Sequence, residues 1–396
     1  MAQYTKHPVQ APPTAPERES TGRLLLRAYV IIAFIAVLAH DALLSLFGGL
    51  FSGAALLVTT LAGAAIAAPM IARQTPHAFP WRRLPWVALA YPLIAAASAL
   101  WSGSATDSLV MTAALLATAG MSLLIGFVLT WDEIIRSLAS ALKWILGLAL
   151  TAEAGARLFH DDRFLQFGGN PALLAGLSAL AIVVFGIQFA RRRRWRTTTA
   201  LWGVLAAALL FSASSATAYL GAAAGAVVLV FALTIRRTSA ISARRRVYAV
   251  GGILILILIT ATAILHRALL AALGEAGDAP DPANIMDASA QVGVVGTVVL
   301  CIAVASLLWR AWFFAADRPR WDLRADRPYS SLTLLPLLCI VIAAVQALAG
   351  SSSALLWGWM LLVLFSFKIK SVPLVGVGLR EQARVTERGR RARRIP

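Results

Sequence analysis

The chain has 396 residues, of which 59% are hydrophobic and 14% charged, with a net charge of +18. That balance excludes an ordinary soluble domain, because apolar runs near 20 residues recur without the polar stripe of a surface helix. It also excludes nucleic acid as the partner of the positive charge, since the basic residues fall in short gaps between apolar runs and at the two ends, where they set orientation and meet anionic headgroups.

Taken in chain order, residues 1–26 form a polar, Pro-rich tail, expected to be disordered and cytoplasmic. It is too long and too acidic for the basic start of a signal peptide, so the first apolar run is a retained anchor. A transmembrane domain over 27–370 follows, and a basic cytoplasmic tail, 371–396, closes the chain. The fold class is all-α: a polytopic bundle of about twelve helices with both termini cytoplasmic. The spans are expected near 27–48, 51–72, 84–101, 107–130, 138–158, 172–190, 198–213, 216–235, 247–265, 291–314, 331–349 and 352–370. Lys143 is expected near the inner end of its span, snorkelling. Cys301 and Cys339 lie inside apolar runs as small core residues, with no metal spacing and no disulfide framework. "GAAAGA" at 221–226 and "AAAL" at 206–209 allow close helix approach, most simply inside the bundle. No internal repeat of the transporter kind is present.

Charge fixes the sides. The even gaps carry Arg73, Arg82 and Arg83; then Arg136; then "RRRRWR" at 191–196; then Arg236, Arg237 and Arg244 to Arg246; then "ADRPRWDLRADRP". The tail ends "RGRRARRIP". Lysine and arginine resist translocation, so these gaps are cytoplasmic. Of the 36 basic residues only Arg157, Arg163 and Arg267 then fall on the outer side. They sit on the two longer outer segments, 157–171 and 266–290, together with His160 and His266.

Arginine presents a planar fork of donors suited to phosphate, so the three outer arginines are candidate anion binders, although scattered tolerated arginines also fit. In "FGGNP", 167–171, Gly169 permits close backbone approach, and Asn170 with Pro171 equally suits a helix start. Ionisable residues within spans face a cavity or a partner. Glu153 and Arg157 are four apart and can pair. His40 and Asp41 lie in the outer half of the first span. These pairs are either satisfied structural contacts or the lining of an outward-facing polar cavity.

Four segments carry a resemblance. "SALWSGSATDSL" (98–109) resembles S-x-x-W-S-x-x-P-x-x-[ST]-L. "RFLQFGGNPALLAG" (163–176) resembles R-F-x-G-x-x-x-N-x-x-x-A. "LLFSASSATAYLGAAAG" (209–225) resembles L-L-x-S-x-S-[RK]-x-A. "ANIMDASAQVGVVG" (283–296) resembles H-N-x-x-L-x-x-x-x-E-x-G-x-x-G. In that order they resemble the O-antigen ligase and polysaccharide polymerase family, which includes exopolysaccharide-production polymerases. The resemblance implies a multi-pass protein of the bacterial inner membrane. It also implies transfer of a glycan from a polyprenyl diphosphate to an acceptor hydroxyl on the outer face, in surface polysaccharide assembly. Its partners would be the lipid-linked glycan, an acceptor glycan or glycolipid, membrane lipids and other assembly proteins. Neither a cofactor nor a metal is implied.

The sequence departs from the family pattern where the chemistry is expected. Ala283-Asn284 replaces His-Asn, Gln291 replaces glutamate, and Ser215 or Ala216 replaces the basic residue of the serine turn. The base would then be His266, with Asp287 as a second candidate. Arg157, Arg163 and Arg267 would hold the diphosphate, with Asn170 and Asn284 as further substrate contacts, and His40, Asp41 and Glu153 would line the cavity. Two readings from other classes stand beside this one: a catalytically inactive member that binds lipid-linked glycan, and a lipid-linked glycan transporter or flippase.

Overall fold

The structure is a computed structural model that describes residues 21–47, 49–74, 81–100, 105–159, 171–191, 196–213, 215–238, 242–243, 245–252, 283–316, 330–348 and 354–371. Every extended element among them is helical and none is a strand. We number the helices α1 (Thr21–Leu38), α2 (His40–Phe47), α3 (Gly49–Gln74), α4 (Trp86–Ser98), α5 (Ala105–Val128) and α6 (Trp131–Phe159). They continue as α7 (Pro171–Arg191), α8 (Arg196–Ser212), α9 (Ala216–Arg237), α10 (Ala283–Ala316), α11 (Leu335–Leu348) and α12 (Ala354–Ser371). Residues 245–252 add a further helical stretch.

Among the described residues six stretches are long and apolar enough to cross a membrane: Ser108–Val128, Trp131–Ala152, Ala172–Arg191, Ala216–Arg237, Val295–Ala316 and Ser331–Leu348. At about 1.5 Å per residue each covers roughly a hydrocarbon core. Shorter apolar helices, Leu24–Leu38, Gly53–Ile66, Trp86–Ser98 and Arg196–Ser212, accompany them. The chain is therefore a helical bundle with several helices of membrane-crossing length. Of the expected span 247–265, only the part up to residue 252 lies within the described residues.

Burial ranks the helices. Leu356, Trp357, Trp359 through Phe365 and Phe367 of α12 are all buried, so this helix is apolar on all sides because it runs through the centre. It packs on α5 and α11, and α11 packs on α9. By contrast α10 lies at the rim against α4 and α11, with only 22% of its apolar window buried. Cys339 is buried in α11, whereas Cys301 lies on the outside of α10, so the second thiol is not the core residue expected of it.

Several helices begin earlier than their apolar runs. α6 starts at Trp131, where residue 138 was expected, because "TWDE" is a capping box. The Thr130 amide donates to Glu133 Oε2 at 2.8 Å and the Glu133 amide donates to Thr130 Oγ1 at 3.4 Å. The earlier start moves Lys143 to about 18 Å along the helix, not near its inner end as expected. Its Nζ lies 5.9 Å over the Phe185 ring, on the side of α7 that leads to Arg191. α10 starts at Ala283, where 291 was expected, and bends at Gly293, whose φ of 75° is a backbone state that favours glycine.

Polar contacts between helices collect at one end of the bundle. Arg27, near the start of α1, lies 3.7 Å from Glu133 at the start of α6. Asp132 pairs with Arg191 at the end of α7. Lys368, near the end of α12, donates to the carbonyls of Gly126 (2.9 Å) and Leu129, where α5 finishes. Lys370 donates to Leu84 O at 2.8 Å, and Arg83 donates to Ser371 O at 3.0 Å. Arg236, at the end of α9, donates to Ala315 O at 2.7 Å, to Ser330 O at 3.4 Å and to Thr333 Oγ1. Trp131 stacks on Phe314 and on Phe365, which joins these groups into one layer. Both chain ends of the described bundle and every expected even gap with a described flank therefore meet on one face.

Candidate functional site

The opposite face is formed by the end of α6, the starts of α7, α9, α10 and α12, and the ends of α8 and α11. Four of the expected site residues lie on the helix ends that form it. Glu153 and Arg157 lie in the last two turns of α6, and Asn284 and Asp287 in the first two turns of α10; their backbones are helical, and their side chains lie outside the description. Arg163, Asn170, His266 and Arg267 lie outside the described residues. α6 packs on α1 and α7, whereas α10 packs on α4, α9, α11 and α12.

His40 and Asp41 open α2, where α1 turns at Ala39 without losing its ladder: the amides of Ala39 and Leu43 still donate to Ile35 O and Ala39 O, both at 2.9 Å. Both side chains are half-buried, and His40 Nδ1 has no hydrogen-bond partner. The pair is a polar point on an otherwise apolar helix.

A second polar point lies where α7, α9 and α11 cross, and it was not anticipated. Gln346 is 2% exposed, and its Nε2 has no partner. The side chain occupies the space left by two glycines. A Cβ on Gly176 would meet its Oε1 at 2.6 Å, and a Cβ on Gly221 would meet its Cγ and Nε2 at 3.3 Å. Gly225 sits one turn further along against Ile342. The small residues of "GAAAGA" thus serve packing inside the bundle. A buried amide with free donors costs energy unless something completes it. Near it, at the start of α9, the buried Ser215 Oγ and Thr217 Oγ1 are 3.0 Å apart. The signal was present in the sequence: Gln346 is the one polar side chain in "LPLLCIVIAAVQAL".

The other side of α11 walls an apolar cleft of about 60 Å³. Ile340, Ala343, Ala344 and Ala347 follow the 3- and 4-residue spacing of one helix face, opposite Tyr91, Leu115, Leu300, Val304, Leu355 and Trp359. Trp359 is fixed there: its Nε1 donates to Leu115 O at 3.1 Å, and its ring lies 5.4 Å from that of Tyr91. So α11 carries an amide toward the glycines and a smooth apolar wall toward the cleft. The amide and the cleft lie on different sides of α11, and Gln346 does not line the cleft. Amide and hydroxyl groups bind and orient; neither serves as a general base at neutral pH.

No family model matches the chain, and neither a curated protein nor a solved structure is similar to it.

Proposed function

We propose that the chain is a membrane glycosyltransferase that resembles O-antigen ligases and polysaccharide polymerases, and that it acts on a glycan carried by a polyprenyl diphosphate in surface polysaccharide assembly. The observation that carries this reading is the one-sided layer of arginines and lysines. If that layer faces the cytoplasm of a bacterial inner membrane, the segments 157–171 and 266–290 are outside, with Arg157, Arg163 and Arg267 on a face that otherwise lacks basic residues. The expected topology of about twelve spans with cytoplasmic ends belongs to the same proposal.

In the reaction, the acceptor oxygen forms a bond to the anomeric carbon while the bond from that carbon to the phosphate oxygen breaks. The diphosphate leaves with the electron pair, its charge offset by guanidinium groups. The acceptor proton passes to a base, for which His266 is the first choice and Asp287 the second. Asn170, Asn284 and Gln346 would orient hydroxyls. His40, Asp41 and Glu153 would line the polar approach, and the cleft beside α11 would take the first part of the prenyl chain.

The test is turnover in proteoliposomes containing a polyprenyl-diphosphate-linked oligosaccharide, read as released polyprenyl diphosphate. Arg163→Ala is expected to abolish release and His266→Ala to slow it. Unchanged turnover in both variants would overturn the site assignment. One observation favours the second reading, glycan binding without transfer: residue 283, which opens α10, is alanine where the family pattern has histidine. Under that reading Arg163→Ala weakens binding of the lipid-linked glycan, and the unmodified protein shows no release. Flux of the glycan across sealed vesicles, sensitive to Asp41 or Glu153, would instead indicate a transporter.

A further inference from the structure

A groove lies on the outside of the bundle. It has a volume of about 590 Å³ and runs between α9 and the helical stretch 245–252. From α9 it is walled by Ala226, Val227 and Val230, and from the other side by Val247, Val250 and Gly251. Val230 and Val250 are 64% and 57% exposed, so no described helix covers them.

Its floor is rigid. The Phe231 ring occupies the place of a missing side chain, since a Cβ on Gly251 would meet its Cε2 and Cζ at 2.0 Å. Phe231 stacks on Trp312 at 4.9 Å, and Tyr248 packs edge-on against both rings at 6.2 and 6.1 Å.

The groove has one charged end. The groove lining on α9 finishes at Thr234, and Arg237 lies beyond it on the same stripe, since residues 226, 230, 234 and 237 follow helical spacing. Arg246 lines the same end from the facing stretch. Both arginines are exposed, and no carboxylate among the described residues pairs with either. The Thr234 hydroxyl is already bonded to Val230 O at 2.8 Å, which leaves the two guanidinium groups as the open donors.

We infer that this groove is a binding site for an anionic phospholipid, with one acyl chain along the valine walls and the phosphate between Arg237 and Arg246. Charge selects the occupant. An apolar trough in a bilayer accepts any chain, but two arginines at its mouth, with no carboxylate partner among the described residues, favour a headgroup with net negative charge. A neighbouring apolar helix would leave both cations uncompensated. The site does not depend on glycan transfer.

The probes are phosphatidylglycerol and phosphatidylcholine with identical acyl chains, mixed equally in nanodiscs around the full chain, with retained lipid counted by native mass spectrometry. The other basic residues give a background that is common to all variants. The Arg237→Ser/Arg246→Ser pair is expected to lower the preference for phosphatidylglycerol by roughly tenfold or more. Val230→Trp keeps both arginines and fills the trough, and is expected to reduce retention of both lipids. Both changes lie on the outside of the bundle, which preserves folding. An unchanged preference in the arginine pair would overturn the inference. So would disulfide cross-linking of Val230→Cys to a second copy in phosphatidylglycerol bilayers, because a protein would then occupy the groove.

Discussion

The two ends of this bundle are built by different chemistry. At the basic end, charged side chains reach across helices and finish on named acceptors: Lys368 on the last carbonyls of α5, Arg236 on Ala315 and Ser330, Arg27 beside Glu133. At the opposite end Tyr219 donates to Phe211 O nearby, Trp359 donates across helices to Leu115 O, and Gln346 Nε2 and His40 Nδ1 have no partner among the described residues. A cation buried at a helix C-terminus is stabilised by the carbonyls it meets and fixes the geometry there. A buried polar group without a partner costs free energy instead of stabilising the fold.

This contrast can be broken first at the basic end. Lys368→Met removes the ammonium that serves two carbonyls while keeping the side-chain volume. A loss of about 2–3 kcal/mol is expected, read as a lowered unfolding midpoint in detergent titration. A loss below about 0.5 kcal/mol would show that the carbonyls find other donors.

The next effect is steric. Gly63 lies under Tyr29, so that an added Cβ would fall 2.0 Å from the phenol oxygen. Gly63→Ala is expected to cost about 2 kcal/mol, since the buried ring must move. Combined with Tyr29→Leu it should cost less than the sum of the two single changes, as measured by a double-mutant cycle.

Glu133→Ala dissolves the capping box of α6 and the contact with Arg27, with an expected cost of about 1–2 kcal/mol. Asp132, its neighbour, pairs with Arg191 at a side chain 37% exposed. For that reason Asp132→Ala should cost under about 1 kcal/mol, and less at high salt. Equal losses at the two positions would remove the distinction between a buried cap and a surface pair.

The smallest effect on stability should come from the opposite end. Gln346→Leu deletes an amide with an unpaired donor, so stability should stay within about 0.5 kcal/mol or rise. Under the proposed function the same change lowers binding of lipid-linked glycan. A large loss of stability with unchanged binding would make Gln346 a structural residue.

Much of the helical arrangement was legible in the sequence because membrane-length apolar runs admit few alternatives. The runs near 107–130, 172–190 and 216–235 coincide with α5, α7 and α9 to within a few residues. Polar first turns were missed. "WDEIIRS" and "NIMDASAQ" look like loops when only hydropathy is weighed, yet a capping box opens the first and Ala283 begins the second. The error displaced Lys143 by about two turns. That basic residues of separate gaps share one end of the bundle was legible too, and the side of the membrane which that end faces belongs to the proposed function. Gln346 was overlooked because a lone amide in an apolar run carries no spacing signal, and its meaning depends on Gly176 and Gly221 from other helices. Of the expected site, His40 and Asp41 are described in full, Arg157 lies in the last turns of α6, and Arg163 and Arg267 lie outside the described residues.

Sidedness is therefore the point to test most directly. In a Cys301→Ser background, a cysteine is placed at Asp161, in the segment after α6, or at Arg193, in the gap after α7, and intact cells are treated with a membrane-impermeant maleimide. Expected is labelling of Asp161→Cys in intact cells, and of Arg193→Cys only after permeabilisation. Labelling of Arg193→Cys in intact cells, with Asp161→Cys protected, would put the basic layer outside and contradict the proposed function.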